Sequence, residues 1–367
     1  MATQIAPHDP SRRVAQLLLR SLGGLLSVLL IASSVAAICP TDVLTGRVGF
    51  LFMAATPPQI VLAMIWRCGF PRSIATLRQP AKGLALLGLN LLFTIPAAAL
   101  LIAFSGNGMG PPTPFLIVLT MLPIIVMLWV VPALHCWPVS ALTRHPLALG
   151  LGTLAFCYLV SFALFTFLLS FAFLEHAPVY DAALDPHGLF DTWAALAVMV
   201  TMVAMVLALM LLDFWPIAAI LPEAGQPLFG IVAMGFVTLA SVLIFFVFTH
   251  LLGWAPIQVL VRFAVATIFG IFIVDTMTGH ELWRHWPQPR LGLVKLVLSL
   301  LFGALGYRLY ATASSWFAGA PISNTAPDFA LDLWIANAML GITFPTMIVV
   351  AEFFGFWPFT LRGARER

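Results

Sequence analysis

Ten stretches of about twenty apolar residues follow one another along this chain with little between them. They run Ser21–Cys39, Val48–Trp66, Gly83–Phe104, Phe115–Trp137, Leu147–Leu174, Trp193–Trp215, Leu228–Leu252, Ile257–Met277, Leu291–Phe317 and Leu333–Trp357. A helix rises about 1.5 Å per residue and the hydrocarbon core of a bilayer is about 30 Å thick, so each stretch is long enough to cross it. Alternating strands of the barrel type are absent, and irregular backbone facing lipid would leave its N–H and C=O groups unpaired. The reading is an all-α, polytopic integral membrane protein of about ten transmembrane helices. Residues 1–20 form a cytoplasmic N-terminal segment, 21–358 the ten-helix domain and 359–367 a basic cytoplasmic tail. Composition agrees: 62% of the 367 residues are hydrophobic and 8% charged, against roughly 25% charged in a soluble domain.

Proline punctuates the segments, because it cannot continue a helix. Every even segment ends at an aromatic-proline pair: Phe70-Pro71, Trp137-Pro138, Trp215-Pro216, Trp286-Pro287 and Trp357-Pro358. The spacings are 67, 78, 71 and 71 residues, the length of one helical hairpin. Five hairpins in tandem account for that rhythm; so does the general habit of polytopic chains to place Trp at the interface and Pro after a helix. Prolines inside segments, Pro57-Pro58, Pro96, Pro123, Pro132 and Pro345, predict kinked or broken helices.

Fourteen of the 17 basic residues fall on one side of this map, which makes that side the cytoplasm and places both termini there, in a membrane of the bacterial inner-membrane type. The Glu175–Thr192 loop on the opposite side is the long one and has room for a small external element. Near the amino end, Arg12-Arg13 and the apolar run after them also fit a cleavable signal sequence; a retained first helix is the simpler reading.

Ionisable groups inside a bilayer cost free energy unless they pair, snorkel or meet water, so they are the first functional candidates. One set lies in the outer half of the late segments: Arg262, Arg308, His250 and Asn337, with Asp332, Tyr307 and Tyr310 at compatible depths. Arg308 is the deepest charge. These residues suit an anion-binding pocket for a carboxylate or phosphate, and equally a structural Arg308–Asp332 pair beside a snorkelling Arg262. A second set lies at the cytoplasmic ends of the even segments: Asp213, Asp275 and Glu352, with His135, His280, Glu281 and His285. Carboxylates and imidazoles at that depth suit proton or cation coupling, and equally neutralisation by the arginines at the same level.

Several classes drop out. A net charge of +3 on sparse, balanced charges is no nucleic-acid footprint. The four cysteines form no CxxC pair. His280 and His285 are five residues apart, not four, so they fall on different helix faces and do not make the zinc motif. No metal, cofactor or catalytic residue is indicated, and the chain reads as a non-enzyme. The leading expectation is a permease-like protein that moves or binds a small, anionic solute with proton or cation coupling. The alternative is a non-catalytic membrane subunit that anchors partner membrane proteins or a second copy of itself. The third is an enzyme acting on lipid through His280, Glu281 and His285.

Overall fold

The computed structural model describes residues 10–40, 43–105, 112–175, 180–283, 285–325 and 329–360. Among them the chain is nearly all helix. Ten principal helices occupy the ten apolar stretches: α1 (Pro10–Ile38), α2 (Gly46–Ile65), α3 (Ala81–Ser105), α4 (Pro114–Val130), α5 (Pro146–Leu168), α6 (Thr192–Leu211), α7 (Leu228–Leu251), α8 (Pro256–Thr276), α9 (Arg290–Ala318) and α10 (Ala330–Phe353). Nine are long and apolar enough to cross a membrane. The exception is α4, with 17 residues. Its segment was expected to continue to Trp137, but Pro132 withholds the next backbone donor and the chain passes into turns after Val130.

The helix starts carry ordinary signals. Thr113 caps α4 by accepting from the Leu116 N–H, with Pro114 at the first helical position, and Asp191 caps α6 by accepting from the Ala194 N–H at 3.0 Å. Apart from Pro132, the interior prolines do not break their helices. Pro57 and Pro58 lie inside α2, Pro96 inside α3 and Pro123 inside α4. The helix continues past Pro58 by widening into π-helical turns over Val61–Ile65, and α8 and α10 each carry two such widened stretches.

Odd and even helices differ in where they sit. In α2, α6, α8 and α10, 61–72% of the apolar window is buried, and 12 of the 17 residues of α4 are; in the five odd helices the share is 17–33%. The even helices pack on one another in the closed order α2, α4, α6, α8, α10 and back to α2. Each odd helix lies outside that ring: α3 on α2 and α10, α5 on α4 and α2, α7 on α6, α9 on α8 and α6, α1 on α10. The outer helices present small residues to the ring, at Gly150, Thr153, Cys157 and Ser161 of α5, for example, and Gly292, Ser299, Gly303 and Gly306 of α9. Small residues allow close approach of backbones, which is how helices associate where water supplies no driving force.

The ends of the even helices share a local geometry. Each is closed by two consecutive residues of left-handed backbone: Arg67-Cys68, His135-Cys136, Asp213-Phe214, Gly279-His280 and Gly355-Phe356. Three of the following odd helices open on a glutamine-proline pair whose glutamine is used identically. Gln79, Gln226 and Gln288 each accept from the N–H of the glycine four residues on (Gly83, Gly230, Gly292), and each donates to a carbonyl at the end of a ring helix, Phe353, Ala133 and Leu211 respectively. At α5 the indole of Trp66 donates to Pro146 O instead, at 2.7 Å. On the other face, α5 stops at Leu168 and not at the expected Leu174, and a small element joins the freed residues to the far end of the long loop. Leu169–Ser170 pairs in parallel with Phe190–Asp191, and buried Asp185 accepts from the Phe171 and His187 N–H groups and from the Tyr180 hydroxyl.

The tightest contact in the fold joins α8 to α9. A Cβ at Gly303 would collide with the Ala266 carbonyl, and one at Gly270 with that of Ser299, both fixed backbone atoms; at Gly88 and Gly235 it would meet nothing within 4 Å. Gly303→Ala should therefore lower the thermal stability of the detergent-solubilised protein by about 1–3 kcal/mol, while Gly88→Ala and Gly235→Ala leave it unchanged or raised. Equal melting of all three variants would contradict this packing.

Candidate functional site

Two polar clusters stand out in this apolar bundle. The first, toward the end of the bundle that carries the long loop, is built around Asp332 in the first turn of α10, which has no exposed surface. Arg262 of α8 grips it with two bonds, Nε to Oδ1 at 3.3 Å and Nη2 to Oδ2 at 3.1 Å. The Tyr307 hydroxyl of α9 donates to Oδ1 at 2.8 Å, and the Asn324 amide donates to Oδ2 at 3.0 Å while its own oxygen accepts from the Asp332 N–H. The guanidinium also lies over the rings of Trp254 and Tyr307, at 6.0 and 5.8 Å. Every lone pair of the carboxylate is used. The pair is Arg262–Asp332, not the Arg308–Asp332 pair weighed from the sequence. Tyr307 faces the ring, and one residue further along a helix the side chain is turned by about 100°, so Arg308 is exposed on the outer face of α9 with no side-chain partner among the described residues.

The remaining residues of the outer set do not join this cluster. His250 is exposed at the end of α7, stacked on Phe246 and 2.9 Å from the Thr249 hydroxyl. Asn337 lies on α10 against Gly49 of α2; its amide donates to Leu333 O, and its buried oxygen has no hydrogen-bond donor.

The second cluster lies at the opposite end, where α8, α9 and α10 meet. Lys295 of α9 donates from Nζ to Oδ1 of Asp275 at 2.7 Å. The other oxygen of Asp275 is 2.6 Å from Nδ1 of His280, in the turn after α8, and Nε2 of that ring is 3.9 Å from Glu352 of α10. Beside it, Arg20 of α1 pairs with Glu281 at 3.4 Å and donates to Thr278 O at 3.1 Å. Of the three residues expected to serve coupling, Asp275 and Glu352 are thus joined through His280, while Asp213 stands exposed at the end of α6, away from them. His280 lies beyond the α8 span. Its hydrogen bond to Asp275, with the Glu352 carboxylate nearby, raises its pKa from 6.5 to about 10, so it is a cation at neutral pH.

Sequence reasoning missed Lys295, which reads as one more flanking cation, and Asn324. The signal for Lys295 was present: it falls on the inward stripe Gly292, Lys295, Ser299, Gly303 of α9. The residues considered for lipid chemistry are engaged separately, Glu281 with Arg20, His280 with Asp275, and His285 edge-on to Trp286. Among the described residues no three His, Cys, Asp or Glu side chains are placed to hold a metal ion.

Between the clusters the axis of the ring is apolar. All five even helices line a cavity of about 40 Å³, with Met53, Met121, Val203, Ile268, Leu340 and Phe344 among its walls. A void lined this way stays dry. Comparison with known protein families, curated proteins and solved structures finds no match to this chain.

Two outcomes follow. Removing one partner from the outer pair leaves a buried or half-buried charge uncompensated, so Asp332→Leu or Arg262→Leu should each cost about 3–5 kcal/mol, and the two together less than the sum of the singles; additive losses in this double-mutant cycle would show the pair uncoupled. For His280, a pKa raised in the folded state contributes stability that is complete below about pH 6.5 and lost as pH climbs to about 10. The melting temperature of the wild type should fall across that window more steeply than that of His280→Gln, and parallel curves would refute the assignment.

Proposed function

We propose that this chain is a ten-span membrane protein of the bacterial inner-membrane type, with both termini cytoplasmic, that binds and moves a small anionic solute under proton or cation coupling. The observation that carries this reading is the charged network of Asp275, His280, Lys295 and Glu352, set at the Lys/Arg-rich end of a bundle whose central axis is apolar. Burying such groups costs free energy that a purely structural bundle has no need to spend. Toward the other end, Arg262 supplies the anion contact: its planar guanidinium is held by the Asp332 carboxylate in the two-bond geometry that an incoming carboxylate or phosphate would adopt. The closed apolar axis corresponds on this reading to an occluded state. Five tandem hairpins account for the architecture, supported by the recurring left-handed pairs and the three identical glutamine contacts.

A second reading, a membrane subunit that holds partner helices, is favoured by Arg308, whose charge stands on the outer face of α9 among exposed Leu301, Leu305 and Leu309. Reconstituted vesicles separate the two. With radiolabelled phosphate, acetate and succinate as probes and an imposed pH gradient, the wild type should accumulate at least one of them. Arg262→Gln and Glu352→Gln should reduce that uptake at least tenfold without loss of insertion. No uptake of any probe, together with stable co-purification of a membrane protein that Arg308→Leu releases, would replace the transport reading by the second. Impermeant thiol labelling of Arg72→Cys from the inside only, and of Asp181→Cys from the outside only, checks the orientation.

A further inference from the structure

The five contacts between ring helices and outer helices can be laid over one another, counting from the left-handed pair at each ring-helix end and from the glycine that opens each outer helix. Four residues before the left-handed pair stand Ala63, Val131, Leu209, Asp275 and Ala351. The second residue of the pair is Cys68, Cys136, Phe214, His280 or Phe356. Three residues after the opening glycine of α3, α5, α7 and α9 stand Leu86, Thr153, Ala233 and Lys295, and three residues after the paired glycines Gly23 and Gly24 of α1 stand the uncharged Leu26 and Ser27. At all three positions the residue that carries charge belongs to the contact of α8 with α9, and Asp275 bonds both of the others. At these three positions the other four interfaces carry no charge. The fold therefore does not require the network, and a buried ion pair is in any case seldom more stabilising than the apolar residues that could replace it.

Exposure is graded along the network. The side chain of His280 is 60% exposed, Glu352 37%, Asp275 21% and Lys295 7%. Each neighbouring pair is close enough to pass a proton directly or through one water, so the chain leads from solvent to an ammonium buried between two helices. The places a metal ion would take between the carboxylates are already filled by two protein cations, and the four charges sum to zero. The groups facing them from the surrounding elements are Arg20 of α1 and Glu281 of the turn, which neutralise each other. Asp213 of α6 is exposed and bonded to none of them.

We propose that Glu352, His280, Asp275 and Lys295 form a proton relay, and that the coupling ion of this protein is the proton itself, held at the α8–α9 interface. This rests on the coupling part of the transport reading and names its ion. In the loaded state Lys295 and His280 are cationic and Asp275 and Glu352 anionic. Unloading moves one proton from Lys295 Nζ to Asp275 Oδ1, which leaves both neutral where they are partly shielded from water. His280 then has no anion at Nδ1 and gives its proton to water on the Glu352 side. One proton leaves and the network changes from zero to one net negative charge; reloading is the reverse.

The test uses the full chain with Asp275→Ala and Lys295→Leu together, which writes the α2–α3 interface (Ala63, Leu86) into the α8–α9 one. This double variant should insert and melt at or above the wild-type temperature; if it fails to fold while Ala63→Ser with Leu86→Thr is tolerated, the charges are structural and the proposal falls. Potentiometric titration in detergent between pH 6 and 10 should then show His280 releasing its proton at a lower pH in the double variant, where only Glu352 still holds the imidazolium, than in the wild type. Identical titrations would overturn the relay, as would sodium chloride displacing a proton from the wild type at constant ionic strength, because that marks a metal cation as the occupant. In vesicles, an inward potential set with potassium and valinomycin should acidify the lumen through the wild type and not through the double variant. Because the titration needs no solute, its success with no solute flux would leave the relay standing and remove the transport reading, whereas its failure removes the relay whatever the vesicles transport.

Discussion

The fold depends on close approach of helix backbones across small side chains. In water an apolar helix is driven onto its neighbours by burial, but among lipid tails a leucine gains little by exchanging one hydrocarbon for another. What remains is contact, and contact is greatest where glycine, alanine, serine or threonine lets two helices touch. Each outer helix offers such a stripe to the ring, and the ring helices, with wider apolar surfaces, fill the centre. At Gly270 and Gly303 the approach of α8 and α9 is so close that carbonyl oxygens occupy the space a methyl group would need. This explains why the outer faces can be almost uniformly leucine, phenylalanine and valine without specifying anything: specificity lies on the narrow inward stripes.

A repeated interface makes exceptions informative. Where five contacts share one geometry, a residue that departs at one of them is not there for the geometry's sake. Asp275, His280 and Lys295 depart together and satisfy one another. The Arg262–Asp332 cluster has a different character. It draws on α8, α9, α10 and the stretch before α10, uses every lone pair of Asp332, and fixes the α8–α10 contact at the opposite end of the bundle. One cluster is closed and saturated; the other is open at His280 and graded inward. The same pair of helices is thus pinned at one end and titratable at the other.

Much of the helical layout was legible in the sequence, because lipid imposes the same demand on every span: enough apolar length, and backbone groups satisfied internally. The segment limits found from hydropathy and proline agree with the helices to within four residues for α2, α3, α6, α7, α8, α9 and α10. Where they disagree, the reason is local: Pro132 ends α4 early. The break considered at Pro57-Pro58 does not form, because α2 widens behind them. Even the polar sites were half legible. Asp275 and Glu352 were visible as charges at depth, but depth along a helix says nothing of direction around it. That second coordinate separates Tyr307, turned inward, from Arg308, turned outward, and it hid Lys295 among flanking cations although the small-residue stripe on α9 marked its direction. Asn324, in a loop, had no periodicity to reveal it.

The dry axis bears on how any solute could cross. A ring of five helices whose shared centre is lined by Met53, Met121, Ile268, Leu340 and Phe344 offers a polar solute no partner there, and desolvating an anion in such a place costs far more than one arginine returns. A route through the bundle would therefore have to open between helices rather than along the ring's centre. The α8–α10 contact is a natural seam, since it carries the Arg262–Asp332 pair at one end and the His280–Glu352 approach at the other. An anion displacing Asp332 from Arg262 would unpin the first end; neutralising Asp275 would release His280, and with it the grip on Glu352, at the second. Both events weaken the same seam by removing a charge pair, so a solute at one end and a proton at the other would be coupled through helix separation, with no wire of polar groups between them.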